Sequence, residues 1–238
     1  MTDVTTTEMA PAAAPADPGT ERGSRGPAWW QVVALVAALC LLAGIVGWRI
    51  GSSEPSVPAE DSVDVGFMYD MTAHHQQAIA MALVYLRNGD DPLLLAVAKE
   101  IVQYQSAEIG MMNEYLAQWG RDGDQPAKAM GWMQPPVDRD KMPGLATNAQ
   151  MQQLQDARGF ALDNLFTQLM IEHHAGGVHM AAYAAEHAEQ AGTRKWAGQM
   201  DDGQRGEISE MNQWRRRHDL NVIVPPIAEF TPEPDTDS

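Results

Sequence analysis

Cysteine and basic residues are scarce in this chain of 238 residues. Its one cysteine, Cys40, excludes both an internal disulfide framework and a metal site built from several thiolates. The 16 Lys and Arg residues are outnumbered by 32 Asp and Glu residues, which gives a formal net charge of −16. Because such a charge repels phosphate groups and attracts cations, we expect no binding to nucleic acid.

The sequence also lacks the short motifs of two common enzyme classes. It has no Gly-x-Ser-x-Gly elbow for a serine nucleophile and no glycine-rich loop for a phosphate group. The pair Gly176-Gly177 lies within a predicted helix, where small residues permit close packing. No segment alternates apolar and polar residues convincingly, so we expect an all-α fold without strands.

The first fifty residues predict a tail and a membrane anchor. Residues 1–28 are rich in Ala, Pro, Thr and Gly without apolar periodicity, which is typical of disorder. Residues 29–50 are mostly apolar, with tryptophans near the edges, and residues 29–48 are long enough to cross the ~30 Å hydrocarbon core of a bilayer. A cleaved signal peptide is the alternative. The long polar stretch before the apolar run and the lack of a convincing small-x-small site after it favour an uncleaved anchor.

The charges beside the anchor predict its orientation. Arg22 and Arg25 precede the apolar run, whereas the segment after Arg49 is acidic. The positive-inside rule therefore places the N-terminus in the cytoplasm and the main domain outside a membrane that the chain crosses once. Residues 51–60 contain Ser, Pro and Gly and are expected to be a linker.

Residues 61–222 predict a bundle of four helices. From Phe67 to Tyr85, apolar residues recur every three or four positions, as on one face of a helix. Asn88-Gly89 is a stop signal, and Asp91-Pro92 joins an N-cap to a proline at the first helical position. A second helix is therefore expected to begin at Pro92 and to end near Trp119.

The second half of the domain repeats this plan after a long connection. Residues 121–146 contain several prolines and glycines and predict no regular element. We expect a third helix from about Gly159 to Gln190, a turn at Gly192-Thr193, and a fourth helix that ends near His218. Residues 223–238 are rich in proline and acidic residues and predict a flexible tail.

Two stretches match each other at an offset of 99 residues. Four of the seven histidines fall in two pairs, His74-His75 and His173-His174, each with methionines nearby. On the helices that follow, Gln105 and Glu108 return at the same offset as Gln204 and Glu207. A duplicated hairpin predicts a pseudo-twofold bundle in which a histidine of one pair faces a histidine of the other.

Imidazole and thioether groups together form a soft set of metal ligands. On a helix, Met71 shares a face with His74 and His75, because they are three and four residues apart. The alternative is that these residues only pack the core, which is the commonest role of methionine. The candidate metal ligands in the two stretches are Met71, His74, His75, Met81, Met170, His173, His174 and Met180.

Glu108 and Glu207 occupy matching places on the partner helices. Inward carboxylates in a bundle are typical of di-iron proteins, whose signature includes Glu-x-x-His on two helices. Here Met111 and Glu210 stand where that signature needs histidine, which counts against di-iron chemistry. The alternatives are an acceptor that orients an imidazole N–H, or a solvated helix face.

The motif Phe-Met-x-x-Met-x-x-His-His-Gln-Gln-Ala-Ile-x-Met-Ala from Phe67 to Ala82 resembles the hallmark of a bacterial domain-of-unknown-function family, number three hundred and five. The segment from Met170 to Gly176 resembles it as well, so the likeness covers residues 61–219. The chain departs from the hallmark at Thr72 and Gly177. The resemblance implies a ferritin-like fold and export. Because the family includes CopM-type copper-binding proteins, it also implies copper as the metal.

The sequence therefore leads to one main hypothesis and two alternatives. The main hypothesis is a membrane-anchored, extracytoplasmic protein without enzyme activity that binds Cu(I) through His and Met for buffering, resistance or handover. The alternatives are a di-iron or copper oxidase, and a metal-free accessory module of a membrane complex. Because histidine ligands must be deprotonated, we expect copper affinity to fall below about pH 6.5.

Overall fold

The computed structural model describes residues 28–51, 57–121 and 125–224. The chain divides into two units, Met1–Pro55 and Ser56–Ser238. The described part of the first unit is one helix, α1 (Trp29–Gly51). Its segment Trp29–Gly47 is long and apolar enough to cross a membrane, and an apolar signal sequence near an N-terminus has the same character. Of the two predicted tails, residues 1–27 of the first (1–28) and residues 225–238 of the second (223–238) lie outside the described residues.

Four long helices make up most of the second unit. They form two hairpins, and the hairpins meet chiefly through their first helices. This arrangement confirms the all-α bundle predicted from the sequence. The long helices are α2 (Val63–Asn88), α3 (Pro92–Gln118), α5 (Gly159–His187) and α6 (Ala191–Arg217), and a short helix, α4 (Asn148–Asp156), precedes α5.

The ends of the helices follow from local side-chain chemistry. The carboxylate of Asp91 accepts hydrogen bonds from the backbone N–H groups of Leu93 and Leu94, so the predicted N-cap of α3 is confirmed. The predicted turn at Gly192-Thr193 is wrong, because both residues lie in the first turn of α6. The chain turns just before α6, where buried Asp64 of α2 accepts hydrogen bonds from the N–H groups of two consecutive residues, at 2.8 and 3.0 Å.

The connection between the hairpins contains more regular structure than the sequence predicts. Two short strands, β1 (Lys128–Ala129) and β2 (Val137–Asp138), pair antiparallel and contradict the expectation of no strand. Two residues are too few for an alternating pattern to be visible. The carboxylate of Asp70 binds this connection to α2, because it accepts hydrogen bonds from the N–H of Met130 (2.7 Å) and the indole N–H of Trp132 (2.8 Å).

Two apolar clusters fill the bundle, one toward each end. The Tyr85 cluster takes buried residues from the C-terminal half of α2 and the N-terminal half of α5. The Phe67 cluster takes them from the N-terminal part of α2, the C-terminal part of α5 and the connection. On each long helix, a short interval with polar residues separates the positions that belong to the two clusters.

Candidate metal-binding site

The matched polar residues of the two halves lie at the same level of the bundle. Each long helix contributes two of them, at positions between its contributions to the Tyr85 cluster and the Phe67 cluster. The four histidines are fully buried, the two glutamines are almost fully buried, and the two glutamates are partly exposed. We call this set the polar layer; its members are His74, His75, Gln105, Glu108, His173, His174, Gln204 and Glu207.

The first histidine of each pair meets its counterpart across the α2–α5 contact. The ring centroids of His74 and His173 lie 3.8 Å apart, and their planes are inclined by 34°. The sequence prediction that one pair faces the other is therefore confirmed. Adjacent helical positions point about 100° apart, so the second histidine of each pair faces a different helix.

The second histidine of each pair binds a glutamate of the partner helix in its own hairpin. Nε2 of His75 lies 2.8 Å from Oε2 of Glu108, and His174 makes the equivalent bond to Glu207. Because a carboxylate only accepts, the imidazole donates through Nε2, and in a neutral ring the lone pair then lies on Nδ1. The sequence left several roles open for Glu108 and Glu207. In the structure each of them accepts a hydrogen bond from an imidazole and so orients that ring.

Several nitrogens of the histidines have no hydrogen-bond partner. They are Nδ1 of His74, His75 and His174, and both ring nitrogens of His173. A buried polar atom without a partner is costly, by about 1–3 kcal/mol for each group. Neutral imidazole nitrogens are also the atoms that bind copper and other transition metals, so the unpartnered set fits a metal ion chemically.

Burial keeps the central histidines neutral. Desolvation, followed by the neighbouring charge of His75, lowers the pKa of His74 to about 3. Desolvation, followed by the neighbouring His74, lowers the pKa of His173 well below its usual value. Protons therefore do not compete with a metal ion for these two rings near pH 6.5. The sequence-based expectation that copper affinity falls below that pH is thus corrected: it does not apply to ligation by His74 and His173.

The four predicted methionine ligands flank the polar layer and do not all lie at one point. Met71 and Met180 belong to the Phe67 cluster, whereas Met81 and Met170 belong to the Tyr85 cluster. All four are fully buried. In the described part of the chain, no group of three His, Cys, Asp or Glu side chains is placed to hold a metal ion. A metal ion in this layer would therefore rely on imidazoles together with thioether or amide groups.

The connection between the hairpins closes over one histidine. Nε2 of His74 lies 3.1 Å from the backbone oxygen of Pro143, which fixes this ring as an Nε2–H donor. Pro143 reaches that position because Gly176 has no side chain; a Cβ there would overlap the carbonyl of Pro143. Gly176 therefore permits close packing, as predicted, but the segment that packs against it is the connection and not a neighbouring helix.

Sequence reasoning noted the matching glutamines but gave them no role. Both lie in the polar layer, and unpartnered amide atoms are found on Gln105 and on Gln204. The offset of 99 residues was the available signal, since it links these glutamines to the histidines as strongly as it links the glutamates. The methionines of the connection, Met130 and Met142, are buried in the Phe67 cluster.

Comparisons with known proteins agree with this fold. Residues 64–215 match the model of the family described as Domain of unknown function (DUF305). A DUF305 protein from Streptomyces coelicolor, named as an inferred secreted protein, has 34% sequence identity and a TM-score of 0.63, covering 70% of this chain and 99% of that one. A DUF305 fragment from Deinococcus radiodurans has 26% identity and a TM-score of 0.56, covering 65% and 96%.

CopM is a further similar structure. Its Cu(I)-bound form has 29% identity and a TM-score of 0.52, covering 65% of this chain and 96% of that one. CopM is also known with bound Cu(II) and with bound silver. No protein among those with curated descriptions matches the chain. The family match over most of the bundle and the shared all-α, ferritin-like fold show that this chain belongs to the DUF305 family.

Proposed function

We propose that this protein binds copper, chiefly as Cu(I), in the polar layer of an extracytoplasmic bundle. The observation that carries the proposal is the set of buried, unpartnered histidine nitrogens at mid-bundle, with methionines on both sides. In this proposal copper is cargo that is buffered or handed on, and no catalysis is involved. The copper- and silver-bound structures of CopM, at 27–29% identity, support the same choice of metal.

The donor groups favour a soft monovalent ion. Thioethers and imidazoles suit Cu(I), which accepts few ligands, whereas Zn(II) takes four ligands in structural sites and draws them from Cys, His and carboxylates. The nearest carboxylates, Glu108 and Glu207, are already hydrogen-bonded to His75 and His174. Their geometry supports ligand orientation and gives no support to a di-iron oxidase.

The proposed location follows from α1 and from charge. The apolar segment Trp29–Gly47 is proposed as an uncleaved anchor, with the acidic bundle outside the membrane. The inferred secretion of the Streptomyces relative supports an exported domain. The net charge of the whole chain, −16, favours the approach of cations such as copper ions.

The test is a competition titration of the full-length protein in detergent with a Cu(I) chelator. We compare wild type with His74→Ala/His75→Ala and with Met71→Leu/Met180→Leu, a pair that lies in one apolar cluster. Leucine nearly conserves the volume of methionine, so the second variant keeps its core. We expect Cu(I) affinity to fall about tenfold or more in both variants, the range found when metal ligands or their supports are lost.

The control is His179→Ala, which removes a partly exposed imidazole from α5 outside the polar layer. It should bind Cu(I) as wild type does, and circular dichroism should report the same helix content for all variants. If the methionine variant folds and binds Cu(I) as tightly as wild type, the thioethers only pack the core. If wild type itself binds neither Cu(I) nor silver, the protein is not a copper carrier.

A further inference from the structure

Gln204 is one of two side chains of the polar layer, with His173, on which both polar atoms are buried and unpartnered. It is only 4% exposed, and neither its amide oxygen nor its amide nitrogen has a hydrogen-bond partner. Leaving buried polar atoms unpaired costs about 1–3 kcal/mol for each group, so we expect a leucine of similar size to be more stable here in the metal-free protein. A residue that lowers stability in the metal-free protein points to a role in binding.

The position of the amide places it beside the second histidine pair. A Cβ at Gly177 of α5 would overlap the amide oxygen of Gln204, so this glycine provides the space that the amide fills. Gly177 follows His174 by three residues and His173 by four, and residues at these spacings share a helix face. The amide of Gln204 therefore packs on α5 one helical turn from His173 and His174, at a position that borders both side chains.

The first half of the bundle lacks this arrangement. At the offset of 99 residues, Ala78 stands where the second half has Gly177. Gln105, the counterpart of Gln204, has one amide atom that is both buried and unpartnered, its oxygen, whereas both amide atoms of Gln204 are buried and unpartnered. The open space and the fully unpaired amide thus occur together, and only the second half shows both among the described residues.

We infer that the amide oxygen of Gln204 is a further metal ligand, which acts with His173 and His174 and favours Cu(II). This inference rests on the proposed copper function and deepens it. Amide and carboxylate oxygens are harder donors than thioethers, and Cu(II) prefers nitrogen and oxygen ligands in a tetragonal arrangement. With the imidazoles, Gln204 provides a nitrogen–oxygen set, whereas the methionines provide the soft set that Cu(I) prefers.

The test compares full-length wild type, Gln204→Leu and Gln213→Leu in detergent. Gln213 is an exposed glutamine of the same helix and serves as the matched control. Three quantities are measured: affinity for Cu(II) by chelator competition, affinity for Cu(I) by the same method, and thermal unfolding of the metal-free protein. The electron paramagnetic resonance spectrum of bound Cu(II) reports a change in its ligands.

For Gln204→Leu we expect Cu(II) affinity to fall about tenfold or more, with an altered Cu(II) spectrum. Cu(I) affinity should change by less than about threefold, since the soft donors remain. The metal-free variant should unfold at a higher temperature than wild type, because the unpaired amide is gone. Gln213→Leu should leave the Cu(II) affinity and spectrum unchanged.

The inference is overturned if Gln204→Leu binds Cu(II) with wild-type affinity and spectrum. It is also overturned if the metal-free variant is less stable or fails to fold, since the amide would then be a structural group held by buried water. Both results leave the Cu(I) proposal standing. If wild type binds Cu(I) but no Cu(II), this inference alone fails, whereas loss of both activities in wild type refutes the proposed function itself.

Discussion

The four buried histidines show how burial changes the chemistry of one residue type. Desolvation penalises the charged imidazolium, so His74 and His173 remain neutral at a pH where exposed histidines gain a proton. A neutral ring is a better metal ligand, and it also tolerates contact with a second ring at 3.8 Å. The burial that keeps these rings neutral for the proposed copper ion should also make the bundle sensitive to acid.

We predict that the metal-free protein loses stability as the pH falls below about 6.5. The pKa of His74 is about 3 in the folded state and near 6.5 in the unfolded state, so between these values the unfolded state binds more protons. The free energy of unfolding then decreases with falling pH, approaching about 1.4 kcal/mol per pH unit for each such histidine. Urea unfolding between pH 7 and pH 5 measures this slope.

The window stops at pH 5 because two carboxylic acids act in the opposite sense below it. Burial raises the pKa of Asp70 and of Asp163, so their protonation favours the folded state in acid. The variant His74→Leu/His173→Leu should show a flatter pH dependence than wild type, whereas His179→Ala should not. Equal slopes in wild type and the leucine variant would contradict the neutral burial of these rings.

At the scale of helices and strands, the long helices were predicted from their periodic apolar residues, whereas the short helix α4 and the two short strands were missed. The periodic apolar residues of α2 and α5 were enough to predict where these two helices lie in the sequence, and the Asp91-Pro92 signal predicted where α3 begins. The short strands carry no pattern that two residues can display. For α4 the sequence did contain a signal, the capping box of Thr147 and Gln150, which the density of prolines in the preceding connection obscured.

The sequence was enough to predict which residues belong to the candidate site, but not how they are arranged in space. The offset of 99 residues identified the histidines and glutamates. Spacing along one helix does not say which ring meets which, because the contact of His74 with His173 depends on how the two hairpins pack. For the same reason the sequence could not separate the four methionines between two clusters, nor place Pro143 against His74.

Close approach of the connection to α5 leads to a prediction at this scale. We expect Gly176→Ala to destabilise the protein by about 1–3 kcal/mol, because its Cβ would overlap the backbone of Pro143 and displace the acceptor of His74. Gly203→Ala on α6 is the matched control, since nothing lies within 4 Å of an added Cβ there. That change should stabilise the helix by about 0.5–1 kcal/mol. The free energies of unfolding are measured by chemical denaturation. If the two substitutions change this free energy in the same direction, the close contact between Gly176 and Pro143 is refuted.

At the scale of the whole chain, an acidic bundle with a buried polar layer follows an apolar helix that its own unit does not bury. Both parts are explained if the apolar helix stays in the membrane and keeps the bundle at the outer surface of that membrane. Copper held by histidine and methionine suits that compartment, since thioethers remain ligands where free thiols oxidise. The chain has no cysteine in the bundle that oxidation could remove.

We predict that α1 remains in the mature protein and that the bundle faces outward. N-terminal sequencing of protein extracted from membranes should find a start that precedes Trp29, because the long polar stretch before the apolar run is untypical of a signal peptide. Protease added to intact spheroplasts should digest the bundle and leave a fragment that contains α1, while a cytoplasmic marker protein stays intact. A mature N-terminus beyond Ile50 would show that the apolar helix is a signal peptide. Complete protection of the bundle in spheroplasts, with digestion only after lysis, would reverse the topology and place the copper site in the cytoplasm.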